Sequence, residues 1–332
     1  MKAVIYTKYG PPDVLELNEE EKPTPKDNEA LIQVRAASVN PLDWHYTRGA
    51  PYIMRMGAGL RKPKVTRLGV DFAGQVEAVG RDVTQFQPGD EVFGARTGAF
   101  AEYVCKLEKT LVLKPANLTF EQAAAVPVAA CTALQGLRDK GQIQPGQKVL
   151  INGAAGGVGT FAVQIAKAFG AHVTGVCGTR NVDMVRSLGA DQVIDYTQAD
   201  FTQTGQRYEL ILDNAGNRSL SDFRRVLTAK GILVFNGGGA LEASERRLIG
   251  PLAHTLKALL LSRFVSQKLV TFLASVNKED LVVLKDLIEA GKVTPVIDRT
   301  YPLSETAEAI RYLEEGHARA KVVITVAQNN KA

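Results

Sequence analysis

The 332-residue sequence contains few residues of three chemistry-bearing types: three cysteines, four histidines and one tryptophan. Cys105, Cys131 and Cys177 are odd in number and widely spaced, and no C-x-x-C pair occurs. A disulfide framework and a cysteine-rich zinc site are therefore not expected. This composition suits a reducing compartment, and we expect a cytoplasmic protein.

Long apolar runs and a strong charge imbalance are also missing. The N-terminus, MKAVIYTKYG, lacks the apolar core of a signal peptide. The uncharged stretch between Lys148 and Lys167 is rich in glycine, which is typical of a buried strand, turn and helix and not of a membrane span. The 40 Lys and Arg against 35 Asp and Glu give a net charge of only +5, so a nucleic-acid partner is not expected.

Two local basic features allow alternative interpretations. One is a cluster that is either a solvated loop or a lip that attracts an anionic cofactor or substrate. Its members are Arg55, Arg61, Lys62, Lys64 and Arg67. The other lies in residues 241–274, where leucines recur at helical spacing among basic residues. We expect helices packed on the protein there, in preference to an amphipathic helix on a membrane surface.

The order of predicted elements indicates two domains. Short strands at 1–6, 30–34, 69–80 and 88–93, separated by Pro and Gly, favour a partly open β-barrel. Beyond residue 148, strands at 149–151, 172–177, 193–194, 210–212 and 232–235 alternate with helices at 158–169, 181–188 and 219–227. This alternation predicts an α/β domain with a parallel sheet. The strand texture of residues 295–297 and 321–324 suggests that the tail rejoins the first domain.

A glycine-rich turn follows the first strand of the α/β domain. It matches G-x-G-x-x-G with Ala154 at the first position, Gly156 at the second and Gly159 at the third. The strand before it and the helix after it are the context that makes this pattern specific for a dinucleotide. Gly156 lets the backbone approach a pyrophosphate, and Gly159 lets helix and strand pack closely. The predicted phosphate-binding residues are Ala155, Gly156, Gly157, Val158 and Gly159.

The end of the next strand favours NADPH over NADH. An NAD site usually places Asp or Glu there, whereas this strand continues as Gly178-Thr179-Arg180 and no carboxylate occurs until Asp183. A hydroxyl and a guanidinium suit a 2′-phosphate, although Arg180 is alternatively a surface residue. Since ligands lie outside the carboxyl ends of parallel strands, later strand ends are also predicted to contact the cofactor. These residues are Asn214, Ala215, Phe235, Asn236 and Gly237.

Several segments together resemble one known family. They are SVNPLD (38–43), GVDFAG (69–74), PGDEVF (88–93), GAFAEY (98–103), AAGGVG (154–159) and LGAD (188–191). Over nearly the whole chain the sequence is similar to the zinc-independent quinone oxidoreductases of the medium-chain dehydrogenase/reductase superfamily. CGTRN (177–181) and GHA (316–318) are similar to the chloroplast-envelope quinone oxidoreductase and alkenal reductase branch. The resemblance implies a GroES-like barrel domain at 1–122 and 296–332 and a doubly wound Rossmann domain at 123–295, with a cleft between them.

The resemblance also implies roles for individual residues. Asn40, Pro41, Leu42 and Asp43 would line the cleft near the nicotinamide ribose. Thr132 would lie beside the nicotinamide and is a catalytic candidate, since its hydroxyl could donate a hydrogen bond to the acceptor as negative charge develops on it. Tyr196 would flank the 2′-phosphate, and Lys321 would lie near the cofactor. For three of these an ordinary role is the alternative: a turn residue for Asn40, strand-end packing for Tyr196 and a solvent-exposed side chain for Lys321.

The zinc-binding members of the superfamily differ from this chain at the ligand segments. Asn40 or its neighbour takes the place of the first Cys, Gly69-Val70-Asp71 replaces Gly-His-Glu, and Val128 takes the place of the later ligand. No metal is therefore expected. His45 stands where related alkenal reductases often carry Lys, and it is a candidate for donating a hydrogen bond to a substrate carbonyl. The alternative is a satisfied surface or cleft histidine.

These observations predict an NADPH-dependent, zinc-independent reductase of small quinones or α,β-unsaturated carbonyls. One alternative is an enoyl-thioester reductase, with Tyr46 as acid and the basic loop holding an anionic carrier. Another is an NADPH-binding protein without catalytic activity. By resemblance we expect a homodimer, with residues 232–235 and the helices from Leu248 onward offering apolar surface.

Overall fold

The computed structural model describes residues 1–236, 266–316 and 318–327. Within the chain two compact units separate. Met1–Val128, Val276–Ala290 and Pro295–Ala332 form the first unit, and Ala129–Ser275 and Gly291–Thr294 form the second. Gly237, the helices predicted from Leu248 and His317 of the GHA segment lie outside the described residues.

The strands and helices of the described residues have the following bounds. The strands are β1 (Lys2–Ile5), β2 (Glu16–Glu19), β3 (Glu29–Val39), β4 (Asp71–Val79), β5 (Glu91–Ala95), β6 (Tyr103–Leu107), β7 (Val112–Leu113), β8 (Lys148–Asn152), β9 (His172–Cys177), β10 (Gln192–Asp195), β11 (Tyr208–Asp213), β12 (Leu227–Asn236), β13 (Lys268–Phe272), β14 (Ile297–Pro302) and β15 (Lys321–Thr325). The α-helices are α1 (Pro41–Arg48), α2 (Arg55–Ala58), α3 (Phe120–Ala124), α4 (Pro127–Leu134), α5 (Gly157–Ala168), α6 (Val182–Ser187), α7 (Leu220–Val226), α8 (Lys278–Glu289) and α9 (Thr306–Glu314).

The first unit is built on a curled sheet with the order β14-β15-β3-β4-β5-β7, and β6 also pairs with β3. The first half of β3 pairs with β6 and its second half pairs with β15, so one strand joins both parts of the sheet. Apolar side chains fill the interior, among them Ile32, Val34, Phe72, Val92 and Phe100. This arrangement confirms the predicted barrel and the return of the C-terminal strand to it.

Helix α8 belongs to the first unit. Near its C-terminal end, Asn117 Nδ2 donates a hydrogen bond to Ile288 O at 2.8 Å, and the Glu289 carboxylate accepts one from Ala116 N–H at 3.1 Å. This placement differs from the predicted boundary, which assigned all of 123–295 to the second domain. Contacts with a loop more than 170 residues earlier place α8 in the first unit. Such contacts cannot be predicted from the periodicity of the helix itself.

The second unit is a six-stranded parallel sheet with the order β10-β9-β8-β11-β12-β13. The chain winds in one direction from β8 to β10 and then returns to add β11 to β13 on the other side, as in a Rossmann fold. The direction therefore reverses between β8 and β11, and the carboxyl ends of these two strands mark the position where such sheets bind ligands.

Strand β12 lies inside this sheet, because it pairs with β11 on one side and β13 on the other. The suggestion that residues 232–235 offer a free surface for a dimer is therefore wrong. Their backbone groups are already paired with β13, a strand that sequence periodicity did not predict. Within the described part of the chain, β13 is the terminal strand on that side of the sheet.

Candidate functional site

The glycine-rich turn joins β8 to α5 in the second unit. Gly153 has φ +76°, in the left-handed region that favours glycine. A Cβ atom on Gly159 would lie 2.1 Å from Gly153 O, so α5 can pack against the turn only if this residue is glycine. Gly159 thus has the packing role that the sequence pattern predicts for the third glycine.

Gly156, the residue that precedes α5, has a different environment. A Cβ atom there would have one neighbour within 4 Å, Gly153 O at 3.6 Å, so nothing in the protein requires glycine at this position. The space lies at the start of a twelve-residue helix whose first N–H groups have no intrahelical acceptors. An open space beside free N–H groups and a helix N-terminus fits a pyrophosphate.

A polar cluster lies at the carboxyl ends of β8 and β11. Asn152 Nδ2 donates to Asp213 Oδ1 at 2.8 Å, and the same oxygen accepts from the N–H groups of Ala215 and Gly216 at 3.2 and 3.1 Å. Asn214 Oδ1 accepts a hydrogen bond from Asn236 Nδ2. These bonds hold two of the predicted cofactor residues, Asn214 and Asn236, side by side.

Two buried polar atoms of this cluster have no hydrogen-bond partner among the described residues. They are Asn214 Nδ2, a donor, and Asp213 Oδ2, an acceptor. Burial raises the pKa of Asp213. A buried polar atom without a partner costs about 1–3 kcal/mol, so a polar ligand at the switch point of the sheet would stabilise this arrangement. The half-buried Phe235 side chain packs against Phe223 in an edge arrangement with ring centroids 6.0 Å apart.

The residues predicted to bind a 2′-phosphate come together at the end of β9. Thr179 and Arg180 lie in a short exposed turn that follows Gly178. Tyr196 is 54% exposed, and its hydroxyl lies 3.1 Å from where a Cβ atom on Gly178 would be. The parallel pairing of β9 with β10 produces this proximity, because it sets Cys177 opposite the residue before Tyr196.

The residue opposite Cys177 is Asp195, which the sequence analysis missed. Its Oδ2 accepts a hydrogen bond from Thr179 Oγ1 at 2.6 Å, and its Oδ1 accepts from Thr197 Oγ1 at 2.8 Å and Thr197 N–H at 2.9 Å. The hydrogen bond from Thr179 lowers the pKa of Asp195. Along the chain, the first carboxylate after β9 is that of Asp183, whereas the carboxylate of Asp195 comes from the neighbouring strand β10. The available signal was that the predicted strands at 172–177 and 193–194 belong to one parallel sheet, so that their carboxyl ends lie at the same edge.

In the first unit, Lys321 is buried and only 3% exposed, so the alternative of a solvent-exposed lysine is wrong. Its Nζ donates to Asn40 Oδ1 at 2.7 Å and to Val39 O at 3.1 Å, and it lies 3.7 Å from Asp71 Oδ2. Burial lowers the pKa of Lys321, and the charges of Asp71 and Asp43 oppose this effect. An ammonium group has three N–H donors, and three acceptors surround this one.

Asp71 is the carboxylate at the centre of this cluster. It accepts hydrogen bonds from Asn40 Nδ2 at 2.9 Å, Ser38 Oγ at 3.0 Å and the N–H of Val128 in the first turn of α4 at 3.0 Å. Burial raises the pKa of Asp71, and the Lys321 ammonium opposes that effect.

The cluster contains residues from all three segments that carry zinc ligands in the zinc-binding members: Asn40, Asp71 and Val128. Here Asn40 and Val128 donate to the carboxylate, and the Lys321 ammonium stands beside it. In the described part of the chain no three His, Cys, Asp or Glu side chains come together as a metal site. Zinc requires a compact shell of N, S or carboxylate ligands, and this donor set does not fit it.

In the predicted segment 40–43, the first and last residues are buried and the two between them are exposed. Asp43 is buried, and its carboxylate accepts Asn40 N–H at 2.8 Å and Gly69 N–H at 3.1 Å, which fixes the start of α1. Burial raises the pKa of Asp43 to about 7. Pro41 and Leu42 are exposed, so their side chains are the ones available to a ligand.

His45 is interior, being only 2% exposed and stacked on Trp44 with ring centroids 3.7 Å apart. Its Nδ1 lies 2.9 Å from Ala50 O, and since a carbonyl only accepts, that nitrogen carries the proton. Burial lowers the pKa of His45, which keeps the ring neutral. The structure therefore favours a structural histidine. Thr132 is half-buried in α4.

Comparisons with known proteins agree with this fold. The family model described as the alcohol dehydrogenase GroES-like domain matches residues 26–116, and the one described as zinc-binding dehydrogenase matches residues 188–324. A chloroplast envelope quinone oxidoreductase homolog of Arabidopsis thaliana is 33% identical over 98% of this chain and 98% of its own length. A 2-methylene-furan-3-one reductase of Solanum lycopersicum is 35% identical over 98% of this chain and 79% of its own.

A solved structure gives the same result in three dimensions. Escherichia coli quinone oxidoreductase complexed with NADPH superposes with a TM-score of 0.81 and 25% identity, over 98% of this chain and all of that one. The barrel, the Rossmann sheet with its glycine-rich turn and the extent of these similarities lead to one assignment. The chain is an NAD(P)H oxidoreductase that belongs to the quinone oxidoreductase family of the medium-chain dehydrogenase/reductase superfamily.

Proposed function

We propose that the protein is an NADPH-dependent, zinc-independent reductase of quinones or α,β-unsaturated carbonyls. The observation that carries the proposal is the combination of open space at Gly156 with the unpartnered donor of Asn214 at the sheet's switch point. The names of two relatives support the acceptor class, since one is called a quinone oxidoreductase homolog and the other a 2-methylene-furan-3-one reductase.

The second unit supplies the groups that bind the cofactor. The first turn of α5 would hold the pyrophosphate, with Gly156 allowing its close approach. Arg180 and Tyr196 would contact the 2′-phosphate, and Asn214 Nδ2 would donate a hydrogen bond to a polar atom at the switch point. When bound, NADPH supplies a hydride. The protein's contribution is to fix the position of the donor and to exclude water around it.

The first unit supports reduction of an acceptor that is already activated. Because the Lys321 ammonium stands at the Asp71 carboxylate, the site offers no zinc shell in which an alcohol could become a metal alkoxide. A quinone or enone needs only a hydrogen bond as negative charge develops on its oxygen. His45 keeps its Nδ1 proton in the bond to Ala50 O, so we propose that solvent supplies the proton.

A panel of acceptors tests this proposal. The rate of NADPH oxidation with phenanthrenequinone or a short enone should exceed the rate of ethanol or isopropanol oxidation with NADP⁺ by several orders of magnitude. The His45→Gln variant should retain its turnover number within a few-fold, whereas a general acid would contribute about a hundredfold or more. Efficient alcohol oxidation without any quinone or enone reduction would overturn the proposal.

One observation favours the enoyl-thioester alternative. Arg61, Lys62 and Lys64 are exposed, and no ion pair within the described chain engages them, while Met56 and Leu60 nearby are 73% and 71% exposed. A cationic surface with apolar side chains suits a phosphate-bearing carrier with an acyl chain. Crotonyl-CoA turnover faster than that of every quinone would establish this alternative. Tight NADPH binding without turnover of any acceptor would instead indicate a binding protein.

We also propose that the protein is a homodimer in the cytoplasm. Strand β13 is the last strand on that side of the sheet within the described residues, and Leu273 directly after it is 88% exposed, which supports pairing with a second copy along this edge. Sedimentation should give twice the chain mass of 35.8 kDa at micromolar concentration. A monomer there would contradict the dimer. No helix within the described residues is long and apolar enough to span a membrane.

A further inference from the structure

Asp195 and its two threonines form a fixed group at the sheet edge where the cofactor's adenosine is proposed to bind. Three hydrogen bonds reach the carboxylate: from Thr179 Oγ1, Thr197 Oγ1 and Thr197 N–H, at 2.6, 2.8 and 2.9 Å. Thr179 directly precedes Arg180, which the proposed function places at the 2′-phosphate.

The hydrogen bond to Asp195 decides what Thr179 can offer a ligand. A hydroxyl carries one proton and two lone pairs, and the proton of Thr179 Oγ1 points at the carboxylate. Thr197 Oγ1 lies 3.0 Å from Thr179 Oγ1 and directs its own proton to the same carboxylate. Thr179 therefore offers a ligand a lone pair and no proton. A ribose 2′-hydroxyl can donate to that lone pair, whereas a 2′-phosphate, which is all acceptor, cannot.

The charge of Asp195 also favours a 2′-hydroxyl over a 2′-phosphate. The hydrogen bond from Thr179 lowers the pKa of Asp195, so the carboxylate is anionic at neutral pH. An anion beside the 2′ position repels a phosphate and leaves a hydroxyl unaffected. The Arg180 guanidinium follows Thr179 in the chain and has the opposite preference.

We propose that Asp195, acting through Thr179, is the residue that sets the cofactor preference, because it provides an acceptor for the 2′-hydroxyl of NADH and limits the advantage that Arg180 gives NADPH. Asp195 is thus a positioning residue, and it makes the preference for NADPH over NADH smaller than Arg180 alone would make it. This inference rests on the proposed function only in placing the adenosine ribose at the end of β9.

Direct binding measurements test it without requiring turnover. Dissociation constants are measured by calorimetry for NADPH and NADH, and for the fragments adenosine 2′,5′-bisphosphate and AMP. Asp195→Asn removes the charge and lets the amide donate to Thr179, which frees the hydroxyl proton for a phosphate. We expect the affinity ratio to shift toward the 2′-phosphorylated ligand of each pair by about tenfold, the effect of one charge-assisted contact.

Two further variants separate the mechanism from a general disturbance. Thr179→Val removes the lone pair and should weaken NADH and AMP several-fold while leaving the 2′-phosphorylated ligands nearly unchanged. Asp183→Asn is the matched control, since it removes one carboxylate from a fully exposed position on the next helix and should leave both ratios as they are. Asp195→Glu should restore the wild-type ratio, which a role in folding alone does not predict.

The outcomes distinguish this inference from the proposed function. If Gly156→Ala and Arg180→Ala weaken neither NADPH nor the bisphosphate, the cofactor binds elsewhere and the proposed site is wrong. If those variants weaken binding but Asp195→Asn leaves the ratio unchanged, the site stands and the role of Asp195 is refuted. An unchanged ratio in Thr179→Val also refutes it, and that variant decides the matter should Asp195→Asn fail to fold.

Discussion

Lys321 Nζ donates a hydrogen bond to Asn40 Oδ1 at 2.7 Å, although the two residues are 281 positions apart in the chain. The C-terminal strand β15 thereby provides the cation for a polar cluster at the start of α1. Through Asn40 this cation is connected to both buried carboxylates, Asp71 and Asp43. The segment that the family resemblance implies for nicotinamide binding is therefore held by a buried polar cluster.

Replacement of Lys321 by Met should strongly destabilise the protein. Asp71 would remain buried without a counter-charge, and breaking a buried ion pair by removing one partner costs about 3–5 kcal/mol. The free energy of unfolding, measured in urea, reports the loss. The double variant Lys321→Met/Asp71→Asn should recover much of it. In Lys285→Met, which removes a partly exposed ion pair within α8, the loss should stay below about 1 kcal/mol. An equal loss in both lysine variants would contradict the argument.

Asp43 should make stability depend on pH. Burial and, to a smaller extent, the Asp71 charge raise its pKa, while the hydrogen bonds from Asn40 and Gly69 and the Lys321 charge lower it. The net result is a pKa of about 7 in the folded state, whereas in the unfolded chain it is near the ordinary 3.8. Between these values the folded state holds a proton that the unfolded state has released. Its contribution to stability therefore falls as pH rises from about 4 to about 7, by on the order of a few kcal/mol.

Asp43→Asn removes the titration and keeps one acceptor oxygen for the N–H of Asn40 or Gly69. Urea midpoints measured across this pH range should decline less steeply in the variant than in the wild type. The exposed Asp183→Asn variant should retain the wild-type slope. The same slope in Asp43→Asn as in the wild type would show that another group is responsible.

The two glycines of the phosphate turn should respond differently to alanine. Gly156→Ala should fold with unchanged stability, because its Cβ meets nothing closer than 3.6 Å, and should weaken NADPH binding at least tenfold by filling the space for the pyrophosphate. Gly159→Ala should lower the thermal midpoint instead, because its Cβ would lie 2.1 Å from Gly153 O. Calorimetric titration and thermal melts of both variants check this. Tight NADPH binding by Gly156→Ala would place the cofactor elsewhere.

Arg180→Ala should weaken NADPH far more than NADH. A charge-assisted contact to a phosphate contributes about 1.5–3 kcal/mol, so the affinity ratio should change by ten- to a hundredfold. Arg186→Ala, which removes an exposed arginine of the neighbouring α6, is the matched control and should leave the ratio unchanged. Fluorescence titrations with both cofactors supply the measurement, and equal weakening of the two would reject the contact.

Activity should survive chelation, and the purified protein should contain no stoichiometric zinc. The physical reason is that Asp71, the carboxylate of the corresponding ligand segment, is engaged by Asn40, Ser38, Val128 and the Lys321 ammonium. Elemental analysis and assays before and after dialysis against EDTA test this. One zinc per chain, with activity lost on its removal, would contradict it.

The sequence predicted those features whose causes are local. The strand at 172–177 is found as predicted, and α5 runs over Gly157–Ala168 where 158–169 was expected. An alternating pattern of apolar residues and a glycine-rich turn each involve residues that are close together in the sequence. They can therefore be recognised without knowledge of the three-dimensional structure.

Features that depend on the pairing of distant segments were not predictable in the same way. Whether Lys321 is buried depends on β15 pairing with β3, and whether Thr179 has a carboxylate partner depends on the register of β9 and β10. Strand β13 was not predicted, and residues 232–235 of β12 were therefore wrongly expected to offer a surface for a dimer. In each case the missing information was which strand lies next to which.

The position of β15 has a consequence for synthesis of the chain. Most of the second unit, Ala129–Ser275, is continuous in sequence and can assemble while translation proceeds. The barrel, although its first strands emerge earliest, gains β15 only after residues 321–325 leave the ribosome. Such distant pairing is slow to form, and until it occurs Asp71 has no cation beside it. The earliest part of the nascent chain is therefore the last to become native.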